Sequence, residues 1–119
     1  SHPLRCAAAA HDRAVALISH LPVVVSAALL AAAERGAMGE EGVLARALAS
    51  SGFADTTRVG GGNPQLGALM CQGNREAVLT ALAHYQRELE TFTATIRAGD
   101  WRALEERLRG CQAVRPEFL

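Results

Sequence analysis

The sequence contains no lysine. All twelve of its basic residues are arginine, and twelve acids balance them. A net charge of zero, spread evenly over both halves of the chain, excludes a dominant basic face for nucleic acid and leaves room only for a small local anion site. Aromatic residues number five in 119, so there is no ladder of rings on which bases could stack. Cysteine is scarce too. Cys6, Cys71 and Cys111 are odd in number and lack CxxC spacing, which argues against a disulfide framework and for reduced thiols in a cytoplasm, each a small buried hydrophobe. No HExxH is present and His11 and His20 stand nine apart, so no metal site is expected. Alternating runs of β-branched residues are also missing, which points to an all-α chain.

What the chain has in excess is alanine, 24 residues, a strong helix former that lets helices approach closely. A mass of 12.5 kDa suits one domain over residues 1–119, large enough to bury a core. Residues 14–33 carry no charged side chain, a stretch long enough to span a bilayer. Ser19, His20 and Pro22 lie near its middle, where polar groups and a missing backbone donor are costly in lipid. The expectation is therefore a helix buried on nearly all sides, inside a bundle or a dimer, with no membrane. No signal peptide is expected either, since Arg5 stands alone and no small-residue cleavage pattern follows.

About five helices are predicted. The first runs from residue 5 to about 34 and stops near Gly36. Pro22 should kink or restart it, because proline lacks an N–H and disfavours a helical Leu21, leaving Ser19 and His20 at the break. A short helix covers 42–50. Residues 51–64 read as a loop, with four glycines, two threonines and a proline. Pro64 opens a short helical turn to 71. The clearest helix spans 74–98, where Val78, Leu82, Tyr85, Leu89, Phe92 and Ile96 form a heptad-like seam suited to a core or a dimer interface. Gly99 ends it, Asp100 caps the next helix, and that helix should bury Trp101, Leu104, Leu108 and Cys111.

Two places could carry chemistry. His20, beside a helix break, could donate to a bound anion or carbonyl, or be satisfied by a backbone group. Arg58 is a lone guanidinium among threonines and glycines. It could grip a carboxylate with a two-pronged fork, oriented by Asp55, or form a solvated surface ion pair. Gly60–Gly62 would let backbone approach a ligand, but no strand precedes them and the G-x-G-x-x-G order is absent, so they are not a dinucleotide fingerprint.

Taken together, His11-Asp12, Ser19-His20-Leu21-Pro22, Gly52-Phe53-x-Asp55-x-Thr57-Arg58, Asn63-Pro64 and Asn74 closely resemble the C-terminal helical domain of the prephenate/arogenate dehydrogenase family of tyrosine biosynthesis. The resemblance runs from about residue 11 to 118, and the ending Arg115-Pro116-Glu117-Phe118 is similar to its cyanobacterial and plant-like branch. Two positions depart from the family pattern: Gly67 stands where many members have tryptophan, and Gly60 where alanine is usual.

The resemblance implies an intertwined helical dimer and a substrate-closing domain. The family reaction sends a hydride from the ring carbinol carbon to NAD or NADP, releases carbon dioxide and makes the ring aromatic. It implies that Arg58 clamps a substrate carboxylate, that His20 donates to the substrate, and that Ser19, Asp55 and Thr57 support them. No catalytic residue carries over. The family's cofactor-binding Rossmann domain is absent from this sequence, so the chain alone should bind no nucleotide and be inactive. The alternative is a stand-alone helical interaction module whose seam binds a partner helix.

Overall fold

Alanine-rich, proline-punctuated segments fold here as helices wherever a cap or a packed neighbour allows it. The computed structural model describes the backbone of residues 2–119 and the side chains from Ala8 onward. Helix α1 (His2–Val15), a π-helical turn (Ala16–His20) and α2 (Leu21–Gly36) form one unbroken rod. After it come α3 (Gly39–Leu48), α4 (Ser51–Thr57), α5 (Pro64–Gly73), α6 (Arg75–Ala98) and α7 (Trp101–Val114), closed by a 3₁₀ turn (Arg115–Phe118). Counting the rod as one helix gives six among the described residues, without a strand, as an all-α chain requires.

The rod does not break at Pro22. Leu21 keeps helical dihedrals of −58° and −47°, and its N–H reaches five residues back to the Ala16 carbonyl. A proline ring crowds the carbonyl four residues before it and offers no N–H. The wider π turn just ahead of Pro22 absorbs both defects within a continuous helix.

The segment expected as a loop also differs, since residues 51–57 are the helix α4. Only one glycine lies inside it, Gly52; the run at 60–62 begins after its end. Ala54 N–H closes the first turn on the Ser50 carbonyl at 2.9 Å. The hydroxyls of Thr56 and Thr57 donate to the carbonyls of Gly52 and Phe53, each at 2.7 Å.

The caps follow the sequence. The Asn63 side chain accepts from the N–H groups of Gln65 and Leu66 at 2.9 and 3.2 Å, with Pro64 in the first turn. Gly99 takes a positive φ of 68° after α6, and the Asp100 carboxylate accepts from Ala103 N–H at 3.1 Å.

The chain divides into two compact units, residues 1–82 and 83–119, with α6 running through the division. Among the described residues the buried apolar interior belongs to the first unit and consists of Ala16, Val78 and Ala81, with Leu21, Cys71, Ala77 and Leu82 packed against it. In the second unit Arg107 lies over the Phe92 ring, 5.4 Å from its centre, and pairs with Glu88 at 3.2 Å.

Much that was expected inside is outside. The stretch Ala8–Gly36 is long and apolar enough to cross a membrane by length and composition, yet only 11% of its most apolar window is buried. Along the α6 seam Val78 is buried and Leu82 and Phe92 half-buried, while Tyr85, Leu89 and Ile96 are exposed. Of the α7 residues expected inside, Leu104 is half-buried, while Trp101, Leu108 and Cys111 are exposed. Of the cysteines, Cys71 is half-buried, and the Cys6 side chain lies outside the described residues. Most of the residues that periodicity placed on these apolar faces are therefore exposed rather than buried within the single chain.

Candidate functional site

The π turn sets the first part of the site. It carries Ser19, which is exposed, and His20, which is half-buried at its last position. The Asn74 side chain, at the junction of α5 and α6, donates from Nδ2 to the Asp12 carbonyl at 2.8 Å and lies 3.4 Å from His20 Nδ1. Asn74 therefore bridges α1 and the π turn. Its backbone is pinned on both sides, the N–H to the Met70 carbonyl at 3.2 Å and the carbonyl to Val78 N–H at 2.9 Å.

The second part is the end of α4. Arg58 is the C-cap, helical in its dihedrals, with its side chain exposed. Thr57 just before it is buried and bound to its own helix through Phe53. Two residues on, Gly60 N–H donates to the Ser26 hydroxyl of α2 at 2.8 Å, and Ser26 is only 2% exposed. A Cβ at Gly60 would overlap the Ser26 side chain and the backbone at Ala27, so only glycine lets the turn seat this closely on α2. Gly61 N–H returns to the Thr57 carbonyl at 3.1 Å. The guanidinium is thus exposed, while the backbone beneath it is held through Thr57, Gly60 and Gly61.

The Ser26–Gly60 bond links the two parts. His20 and Ser26 lie six residues apart on one rod, about 9 Å along its axis. Asp55 is exposed on α4, and among the described residues no carboxylate, Asp55 included, pairs with Arg58. Beside the α4 end, α2 and α3 border an apolar groove of about 740 Å³ that reaches Leu30, Leu48, Phe53 and Gly60. Asn74 stood in the sequence motif without a role, because its partners lie 54 and 62 residues away, beyond any local pattern. Ser26 carried no signal at all.

The described residues thus define a class by fold: an all-helical domain with exposed apolar side chains, an imidazole beside a neighbouring amide and an exposed guanidinium that pairs with no carboxylate among them. Residues 7–110 match the family described as prephenate dehydrogenase, dimerization domain. The chain belongs to that family. It is similar to the crystal structure of Synechocystis arogenate dehydrogenase, at 45% identity and a TM-score of 0.87, over 93% of this chain and 40% of that one. It is also similar to prephenate dehydrogenase from A. aeolicus in complex with hydroxyphenyl propionate and NAD+, at 25% identity and a TM-score of 0.79, over 92% of this chain and 37% of that one. The chain spans about two fifths of the length of these relatives.

Proposed function

We propose that this chain is the substrate-closing and dimerising part of a cytoplasmic, NAD(P)-dependent dehydrogenase of tyrosine biosynthesis that oxidatively decarboxylates arogenate or prephenate. The observation that carries the reading is Arg58. Its backbone is fixed through Thr57 and Gly60, and its guanidinium faces no protein carboxylate among the described residues, in a chain 45% identical to an arogenate dehydrogenase over 93% of its length. Both substrates are carboxylates, and two parallel N–H groups of a guanidinium donate to the two oxygens of a carboxylate.

In this reading Arg58 binds a substrate carboxylate and orients the ring toward the nucleotide. His20 donates a hydrogen bond to a substrate oxygen. Thr57 holds the end of α4 beneath Arg58, and Ser19 and Asp55 engage once ligand is present. The described residues do not fit the nucleotide itself. Gly60 is filled by its seat on α2, and no strand leads into the glycine run. NAD or NADP is therefore proposed to bind outside this sequence, and the 119-residue chain to be inactive alone. Two copies are proposed to cover the apolar faces, in keeping with the family's description as a dimerization domain.

The test is turnover by the enzyme that carries this chain. Arogenate or prephenate with NAD or NADP should release carbon dioxide and yield tyrosine or 4-hydroxyphenylpyruvate. Absence of turnover with both substrates and both nucleotides would overturn the reading.

A further inference from the structure

We infer that Asn74 is a positioning residue that sets the tautomer of His20, leaving the proton on Nε2 and making that nitrogen the donor toward an anionic ligand. The inference rests on the substrate-binding role proposed for His20 and adds the residue that gives the ring its polarity.

The orientation of the Asn74 amide follows from Asp12. A backbone carbonyl only accepts, so the atom 2.8 Å from the Asp12 oxygen must be the NH2 group; turned over, two oxygens would face each other. One amide hydrogen serves Asp12 and the other is free for His20 Nδ1 at 3.4 Å. An amide NH2 cannot accept, so a proton on Nδ1 would set donor against donor. Nδ1 therefore keeps its lone pair, and the neutral ring carries its hydrogen on Nε2. With its backbone bonded to Met70 and Val78, Asn74 cannot drift from the ring without loosening the α5–α6 junction. Asn74 works on the imidazole as an outer ligand works on a metal-bound histidine, by occupying one ring nitrogen so that the other has a fixed role.

Long-range proton–nitrogen NMR on the 119-residue chain reads the tautomer directly, with the His20 signals assigned by their loss in His20→Gln. At a pH where the ring is neutral, the wild type should show a bare Nδ1 and a protonated Nε2. Asn74→Asp places an acceptor where the amide donated, and should move the proton to Nδ1. A wild-type ring protonated on Nδ1 would overturn the inference even if the variant failed to fold, and so would a tautomer that ignores Asn74→Asp. Kinetics of the enzyme carrying the chain separate this inference from the reading beneath it. Asn74→Asp should lower kcat/KM by about 10- to 100-fold, since a donor to a charged oxygen becomes a lone pair, and His20→Gln with Asn74→Asp should add little. If His20→Gln lowers kcat/KM and Asn74→Asp does not, the positioning role fails alone. If neither does, the substrate-site role of His20 fails with it.

Discussion

Arg58 gives the sharpest test at the scale of single residues. Removing one partner of a charge-assisted fork at a partly enclosed site costs on the order of 2–4 kcal/mol. Arg58→Ala in the enzyme carrying this chain should lower kcat/KM by roughly 30- to 1,000-fold with unchanged nucleotide affinity. Arg58→Lys should recover little, because an ammonium keeps the charge and loses the fork. Steady-state kinetics with both substrates, alongside thermal melts, measures this; wild-type kcat/KM in Arg58→Ala would return the guanidinium to solvated surface. Gly60 answers a different question. A methyl group there must push against Ser26 and the α2 backbone, so Gly60→Ala should destabilise by about 1–3 kcal/mol. It should also weaken substrate binding, since the turn that carries Arg58 would leave its seat. Urea unfolding and KM together check this, and a variant as stable as wild type would mean that the turn can shift at no cost.

At the scale of elements, capping chemistry was the most legible part of the sequence. Gly99 and Asp100 were read as a stop and a start, and the positive φ of Gly99 and the bond from Ala103 N–H to Asp100 agree. Asp100→Ala should therefore cost about 1 kcal/mol, seen as a lower urea midpoint with an unchanged slope. Short-range rules failed where an element is held by something distant or by its own side chains. The seven residues of α4 are too few to be helical by propensity. Two threonine hydroxyls and the anchoring of Gly60 to Ser26, 34 residues earlier, hold the segment in place. At Pro22 the expected irregularity falls at Ser19 and His20 and takes the form of a π turn, after which α2 begins at Leu21. A proline rule counts the lost hydrogen bond but not the option of a π turn upstream. Arg58 and His20 were legible as candidates because each is an unusual residue type for its surroundings. Asn74 and Ser26 were not, since a polar side chain on a helix looks ordinary until its distant partner is known.

At the scale of the whole molecule, surface area carries the argument. The chain exposes 9390 Å². A folded monomer of its mass would expose about 6,200 Å², and even two separately folded units of 82 and 37 residues about 7,300 Å². The excess of about 2,000 Å² per chain is the size of a large permanent interface, and its apolar members include Ile18 of the uncharged stretch, Leu89 of the seam read as core or dimer interface, and Trp101 and Leu108 expected inside on α7. Sedimentation equilibrium at micromolar concentration should give twice 12.5 kDa. A clean species at the mass of one chain would leave those faces without a proposed cover.

Among the described residues the buried apolar interior is Ala16, Val78 and Ala81, and this has a consequence for how the molecule comes into being. Three small side chains cannot offset the chain entropy of more than a hundred ordered residues. Acquiring the native form and finding a second copy should then be one event, with a rate set by encounter as well as by the chain. Refolding would slow on dilution, as a second-order process does. The melting temperature would fall with it, each tenfold dilution removing about 1.4 kcal/mol from the apparent stability of the pair. A melting curve that does not move between one and one hundred micromolar would show that a single copy holds itself together.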